Sequence, residues 1–186
     1  MKTTELKKGF QDGKYEELLR DIYIDESVLD YQKERYIKAI ESFEELFGEK
    51  EVEIYSAPGR SEIGGNHTDH QNGKVLAASV NLDIIAVVRP VNSKESVSEE
   101  GSLSGHSGVN AGIIRIVSDD YPMIQVSLSD TDINKEEYST TKALVKGVTA
   151  GFKKKGFKTG AFDAFITSDV PMGAGLSSSA AFETLI

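Results

Sequence analysis

The chain has 186 residues, 39% of them hydrophobic, which is enough to bury the core of one large domain. No apolar run reaches the length of a membrane span and the first thirty residues carry charges throughout, so neither a spanning helix nor an apolar signal core is expected. The net charge of −9 comes without any basic stripe, which argues against nucleic acid as a partner, and zero Cys excludes disulfides and thiolate metal sites, so a cytoplasmic home is expected.

Acidity is concentrated early. Residues 1–53 hold 15 acidic and 9 basic side chains, a pattern expected of helices that keep one face solvated. Helical spacing runs over residues 3–19 and 27–48, with Tyr31, Tyr36, Ile37, Ile40, Phe43 and Phe47 about three and four apart and Gly48 as the closing residue. These apolar residues are expected to pack against the main body, and Ser27 or Asp30 is the candidate cap of the second helix.

From Val52 onward the pattern turns to strands, expected over residues 52–56, 75–80, 84–90, 113–118, 124–127 and 161–167. Between the first two, Ser56 to Gly73 reads Ser-Ala-Pro-Gly-Arg-Ser-Glu-Ile-Gly-Gly-Asn-His-Thr-Asp-His-Gln-Asn-Gly, which is expected to be a functional loop. An Asp flanked by Asn and His suits a polyol, whose buried hydroxyls each need a partner. His67, Asp69 and His70 are alternatively metal ligands, although no fourth candidate stands nearby. Residues 92–112, rich in Ser, Gly and Glu, are expected to form a mobile loop. A helix is expected over residues 139–155, with Ala143, Leu144, Val148 and Phe152 on its inner face and Lys153 to Lys155 marking its end before Gly156. Strands first and helices later point to an α+β layered fold.

The last segment, Pro171 to Glu183, reads Pro-Met-Gly-Ala-Gly-Leu-Ser-Ser-Ser-Ala-Ala-Phe-Glu. Glycines allow a sharp turn and a helix opening at the serines offers unpaired N–H groups, which together make a phosphate cradle. The blander alternative is a helix capped by serine after a tight turn. A Walker loop is absent for want of a Lys before the serines, and the dinucleotide fingerprint for want of a third Gly.

This segment resembles the ATP-binding signature of the GHMP kinases, and Gly59, Arg60, Gly65, His67, Thr68 and Asp69 resemble the sugar-binding signature of the galactokinases within that family. The similarity runs from about residue 48 to residue 186. It implies a GHMP-kinase amino-terminal domain (ribosomal protein S5 domain 2-like) over residues 49–186, a mixed sheet with helices on one side, preceded by a helical segment over residues 1–48. It implies ATP held by Gly173, Ala174, Gly175, Leu176, Ser177, Ser178 and Ser179, with Ser178 and Ser179 the candidates to hold Mg²⁺. It implies galactose held by Asn66, His67 and Asp69, and Arg60 beside the hydroxyl to be phosphorylated. Four positions depart from the signature: Glu62 stands where the family has Asn, Gly64 where it has an apolar residue, Asn66 where it usually has Glu, and His70 where it has Tyr.

The resemblance also implies a catalytic Asp and a second half-domain further along. Because the chain reaches Ile186 within the helix that begins at Ser177, it is expected to be the amino-terminal portion of a longer protein and to be inactive alone. The reaction implied is ATP-dependent phosphorylation of the anomeric hydroxyl of galactose. The alternatives are a kinase for another sugar, such as N-acetylgalactosamine or arabinose, and a non-catalytic galactose sensor.

Overall fold

The computed structural model describes residues 1–65, 72–91, 112–119 and 121–186. Three helices come first: α1 (Thr3–Gln11), α2 (Glu16–Tyr23) and, after a 3-10 turn at Glu26–Val28, α3 (Leu29–Phe47). The single helix expected over residues 3–19 is broken because Gly13 adopts a φ of +76°. Asp25 caps the 3-10 turn through the amide of Ser27, so neither Ser27 nor Asp30 caps α3. Gly48 closes α3 at a φ of +75°, as its place in the sequence requires.

A five-stranded mixed sheet follows, in the order β1-β2-β5-β3-β4. It is built from β1 (Glu53–Gly64), β2 (Leu76–Val91), β3 (Ile113–Ser118), β4 (Ile124–Ser127) and β5 (Ala161–Ser168), with only the β3–β5 pair parallel. Two expectations change here. The loop expected from Ser56 is strand as far as Gly64, and the strands expected at 75–80 and 84–90 are one long β2. Irregular pairing, in which Pro58 faces Asp83 while Arg60 faces Ser79, lets β1 keep company with β2 along its whole length despite a proline and a glycine in its middle. The mobile loop expected at 92–112 lies, but for Gly112, outside the described residues.

Both faces of the sheet are covered. Side chains alternate across a strand, so Ile85 and Val87 of β2 and Phe165 of β5 join a core with α1 to α3, while Ile84, Ala86, Ala164 and Ile166 join a second core with α4 (Thr141–Lys154) and α5 (Ser178–Leu185). The early helices thus seal one face and the later helices the other. Among the described residues no helix is long and apolar enough to cross a membrane.

The inner face of α4 differs from the expected one. Val145, Lys146 and Thr149 are buried, whereas Phe152 is exposed beside Phe157. Lys146 turns the helix, because its ammonium bonds Asp130 at 3.0 Å and Glu137 at 2.9 Å while its stem lies inside. A count of apolar residues alone misses an inward lysine.

The face of α3 carries a similar surprise. Gln32, Arg35, Tyr36, Ala39, Ile40 and Phe43 are its buried residues, two of them polar. Arg35 meets Asp83 of β2 at 2.6 Å, and Asp83 also accepts hydrogen bonds from Tyr23 at 2.9 Å and Ser56 at 2.5 Å. Burial raises the pKa of both Tyr23 and Tyr36, and Asp83 adds to the rise in each. A phenol with a raised folded pKa contributes stability that is complete below the unfolded value near 10 and is lost as pH climbs beyond it. Urea midpoints of the chain are therefore expected to hold steady to about pH 10 and fall above it. Tyr23→Phe is expected to cost about 2 kcal/mol at neutral pH through the lost bond to Asp83 and to flatten that alkaline fall.

Candidate functional site

Two arches of backbone meet at the β1 end of the sheet. The first is the connection between β1 and β2; Asn66, His67 and Asp69 lie outside the described residues, and the chain is described on either side of them. Gly65 has a φ of +86°, and a Cβ there would stand 2.2 Å from the carbonyl oxygen of Lys74. Only glycine lets the two strands approach so closely as the sugar-signature loop begins. Asn72 returns the chain at a φ of 54°, a left-handed conformation that Asn tolerates.

The second arch runs from Pro171 to Gly175 and is exposed throughout. Gly173 and Gly175 have φ of +74° and +76°, with open space where a Cβ would project. The glycines are thus demanded by the turn itself, and the space beside them is free to receive a ligand. Both ends of the arch are pinned. Upstream, the Asp169 amide donates to the Asp83 carbonyl at 2.9 Å and Val170 is buried. Downstream, the Leu176 carbonyl accepts from the Arg60 amide at 3.0 Å.

Helix α5 then opens at Ser177, whose backbone is left-handed at φ 58° and ψ 45°. A capping serine holds an extended backbone and accepts from the helix's own first-turn amides. Ser177 does neither, as its side chain makes no capping bond. The first backbone bond of the helix runs from Ala181 to Ser177 at 3.0 Å, which leaves the amides of Ser178, Ser179 and Ala180 without a helical acceptor. Among the described residues the hydroxyls of Ser177, Ser178 and Ser179 are unbonded as well. Amides and hydroxyls gathered at the positive end of a helix, beside open glycines, are the donors that an anion site uses. A serine-capped helix, the blander alternative, does not describe this geometry.

Arg60 links the arches. The bond from its amide to Leu176 ties β1 to the glycine loop, and a Cβ on neighbouring Gly59 would lie 3.1 Å from the same Leu176 oxygen and 3.2 Å from Val170. Residues from two motifs more than a hundred positions apart are thereby brought into backbone contact. The Arg60 guanidinium is half exposed and paired with Glu62 at 2.5 Å. Glu62 is one of the four departures from the signature, so here the arginine has a carboxylate partner within its own strand.

Several of these supports escaped the sequence reading. Asp169, Asp83, Arg35, Gln32 and Tyr31 join around the start of the glycine loop, yet none stands in either motif. The available signal was a Gln and an Arg on the buried stripe of α3, three residues apart, where apolar residues belong. Asp163, also inward on β5, answers Arg115 at 2.7 Å and Arg89 at 3.6 Å across neighbouring strands and holds the sheet. Glu183 is exposed on α5.

Comparison with known proteins agrees with both motifs. Residues 41–90 match the galactokinase galactose-binding signature, and residues 143–186 match the GHMP kinase N-terminal domain. A glycine-serine loop opening a helix on this mixed sheet defines the class: the chain belongs to the GHMP kinases. Within them its relatives are galactokinases. It is 31% identical over 149 residues to that of Bacillus subtilis (strain 168), aligning 77% of this chain with 33% of the relative, and 30% identical to that of Lactococcus lactis subsp. lactis (strain IL1403), aligning 78% with 33%. The crystal structure of Lactococcus lactis galactokinase complexed with galactose superposes with a TM-score of 0.62 at 28% identity, covering 78% of this chain and 34% of that one. The chain spans about a third of the length of the curated relatives it matches.

The two glycines are predicted to respond differently to alanine. Gly173→Ala strains only φ and is expected to cost about 1 kcal/mol. Gly65→Ala adds a backbone collision and is expected to cost at least twice as much, read as the difference between their urea midpoints.

Proposed function

We propose that the protein to which these residues belong phosphorylates the anomeric hydroxyl of galactose with ATP, giving galactose 1-phosphate. The observation that carries this reading is the contact between the two motifs: the Arg60 amide on the Leu176 carbonyl puts the residue assigned to the transferring group against the loop assigned to the phosphates. Phosphoryl transfer needs little covalent help from a protein, and positioning with charge neutralisation carries most of its catalysis.

In this reading the amides of Gly173, Ala174, Gly175, Leu176, Ser177, Ser178 and Ser179 surround the phosphates of ATP. The free hydroxyls of Ser178 and Ser179 suit Mg²⁺, an oxygen-seeking ion that binds with substrate phosphates. Bound Mg²⁺ supplies neutralisation of charge on those phosphates. Asp69 accepts bonds from ring hydroxyls of the sugar, His67 and Asn66 orient it, and Arg60 stabilises negative charge on the group in transit. Glu62 competes for that arginine, so Arg60 exchanges a carboxylate for the substrate on binding. Residues 49–186 serve as the kinase's amino-terminal domain, with residues 1–48 as a helical layer on its sheet. The site belongs to a cytoplasmic enzyme.

Asn66 supports one variation. An amide both donates and accepts where a carboxylate only accepts, which alters the contact to an outer hydroxyl and favours a related sugar such as N-acetylgalactosamine or arabinose as the second reading. The sensor alternative has less support, since Ser179 and Ala180 of the phosphate loop are both in place.

The test is ADP release with Mg-ATP by the full-length protein that contains these residues, against galactose, glucose, N-acetylgalactosamine and arabinose. Turnover of galactose is expected. Asp69→Ala is expected to reduce turnover at least a hundredfold, the loss typical of a misplaced substrate. Unchanged turnover in that variant would sink the assignment. Preference for another sugar, reversed by Asn66→Glu, would favour the second reading.

A further inference from the structure

Asp169 belongs to neither motif, and yet its carboxylate is among the most heavily held in the chain. Tyr31 donates to one oxygen at 2.8 Å, and Gln32 at 3.0 Å and Arg35 at 3.1 Å reach the other. All three come from α3, about 137 residues earlier in the chain. The Asp169 amide is meanwhile fixed on the Asp83 carbonyl, and Arg35 bonds that same carbonyl and the Thr167 carbonyl at 3.0 and 3.1 Å. Four atoms contact Asp169 directly and thus locate a residue four positions before Gly173. Next to it, Val170 sits in the core beside Gly59 of β1.

The exposed arch Pro171 to Gly175 has few contacts of its own. An arch of that kind inherits its position from its ends. Its downstream end is the Leu176 carbonyl on the Arg60 amide, and its upstream end is Asp169. We propose that Tyr31, Gln32 and Arg35 of α3 are positioning residues for the glycine loop, acting through Asp169 to hold the loop docked on Arg60 in the form that accepts a nucleotide.

This extends the reading of residues 173–179 as the nucleotide loop, and it gives the early helices a role in the site: a brace behind the loop. The role differs from general support of the fold. Arg35 also pairs with Asp83 and would affect the whole sheet if changed, whereas Tyr31 is exposed and Gln32, although buried and accepting from Arg35 at 3.0 Å, does not bond Asp83. Removing both takes away two holds on Asp169 and leaves the Arg35–Asp83 pair in place.

The experiment uses the double variant Tyr31→Phe with Gln32→Ala in the 186-residue chain. NMR-detected hydrogen exchange is read at the Arg60 amide, which reports docking of the loop, and across the β2–β5 ladder, which reports the sheet. The Arg60 amide is expected to exchange about tenfold faster than in the parent while the ladder is unchanged, as the loss of a bond to a charged group implies. Binding of a non-hydrolysable Mg-ATP analogue is expected to weaken by a similar factor. Unchanged exchange at Arg60, or exchange that rises equally at Arg60 and throughout the ladder, overturns the proposal. Should the double variant not fold, Asp169→Asn is read by the same two amide sets with the same criterion. A parent chain that does not bind the analogue, with Arg60 still selectively opened in the variant, upholds the brace and removes the nucleotide reading instead.

Discussion

The buried pair between Arg35 and Asp83 is the constraint on which the other parts depend. Each side chain is 5% exposed or less, and the pair joins the helical layer to the middle of the sheet. Removing one partner of a buried pair leaves an uncompensated charge, typically a loss of about 3–5 kcal/mol, comparable to a large share of a domain's stability. Such a pair is costly to bury, and here the cost is offset by saturation. Burial works against the Arg35 charge, but the bond to Asp83 and the charges of Asp83 and Asp169 outweigh it and raise its pKa. Only its Nε is left without a partner. Asp83, in turn, gathers Tyr23, Ser56 and Arg35, so that α2, α3, β1 and β2 converge on one carboxylate.

From that point the geometry of the site follows by short steps. Asp83 is the β2 residue opposite Pro58, immediately before the pairing irregularity that carries β1 to Gly59 and Arg60. Its carbonyl receives the Asp169 amide as β5 gives way to the glycine loop. One residue therefore touches both the sugar-signature strand and the start of the glycine loop where they leave the sheet. The sheet is packed on both of its faces, whereas the arch from Pro171 to Gly175 is exposed. Catalytic sites are commonly divided in this way, with a packed scaffold aiming exposed loops.

The charge arrangement at Arg60 adds a chemical point. Arg60, proposed above to meet the transferring phosphoryl group, is a strong cation in a half-exposed place, and Glu62 beside it gives that charge a local answer. An exposed pair of this kind is worth little to stability, so it can be exchanged for a substrate at small cost. Among the described residues the hydroxyls of Ser177 to Ser179 have no such partners, in contrast to Arg60.

Much of this was legible in the sequence, and the physical reasons are local. Gly173 and Gly175 announce a left-handed turn because few other residues adopt it, and β3 and β4 were placed correctly because short β-branched runs between turn residues have few other readings. The family follows from the same local chemistry, since glycines, serines and an Arg in fixed order carry their function in their own backbone. What only the tertiary structure decided are the facts that rest on long-range pairing. The continuation of β1 through Pro58 and Gly59 depends on β2 lying alongside it, and the inward turn of α4 depends on acids sixteen and nine residues before Lys146. The capture of Asp169 by α3 depends on two segments that only the sheet brings together. A buried polar network leaves almost no periodic trace, because each member looks like a surface residue until its partner, far away in the chain, takes water's place.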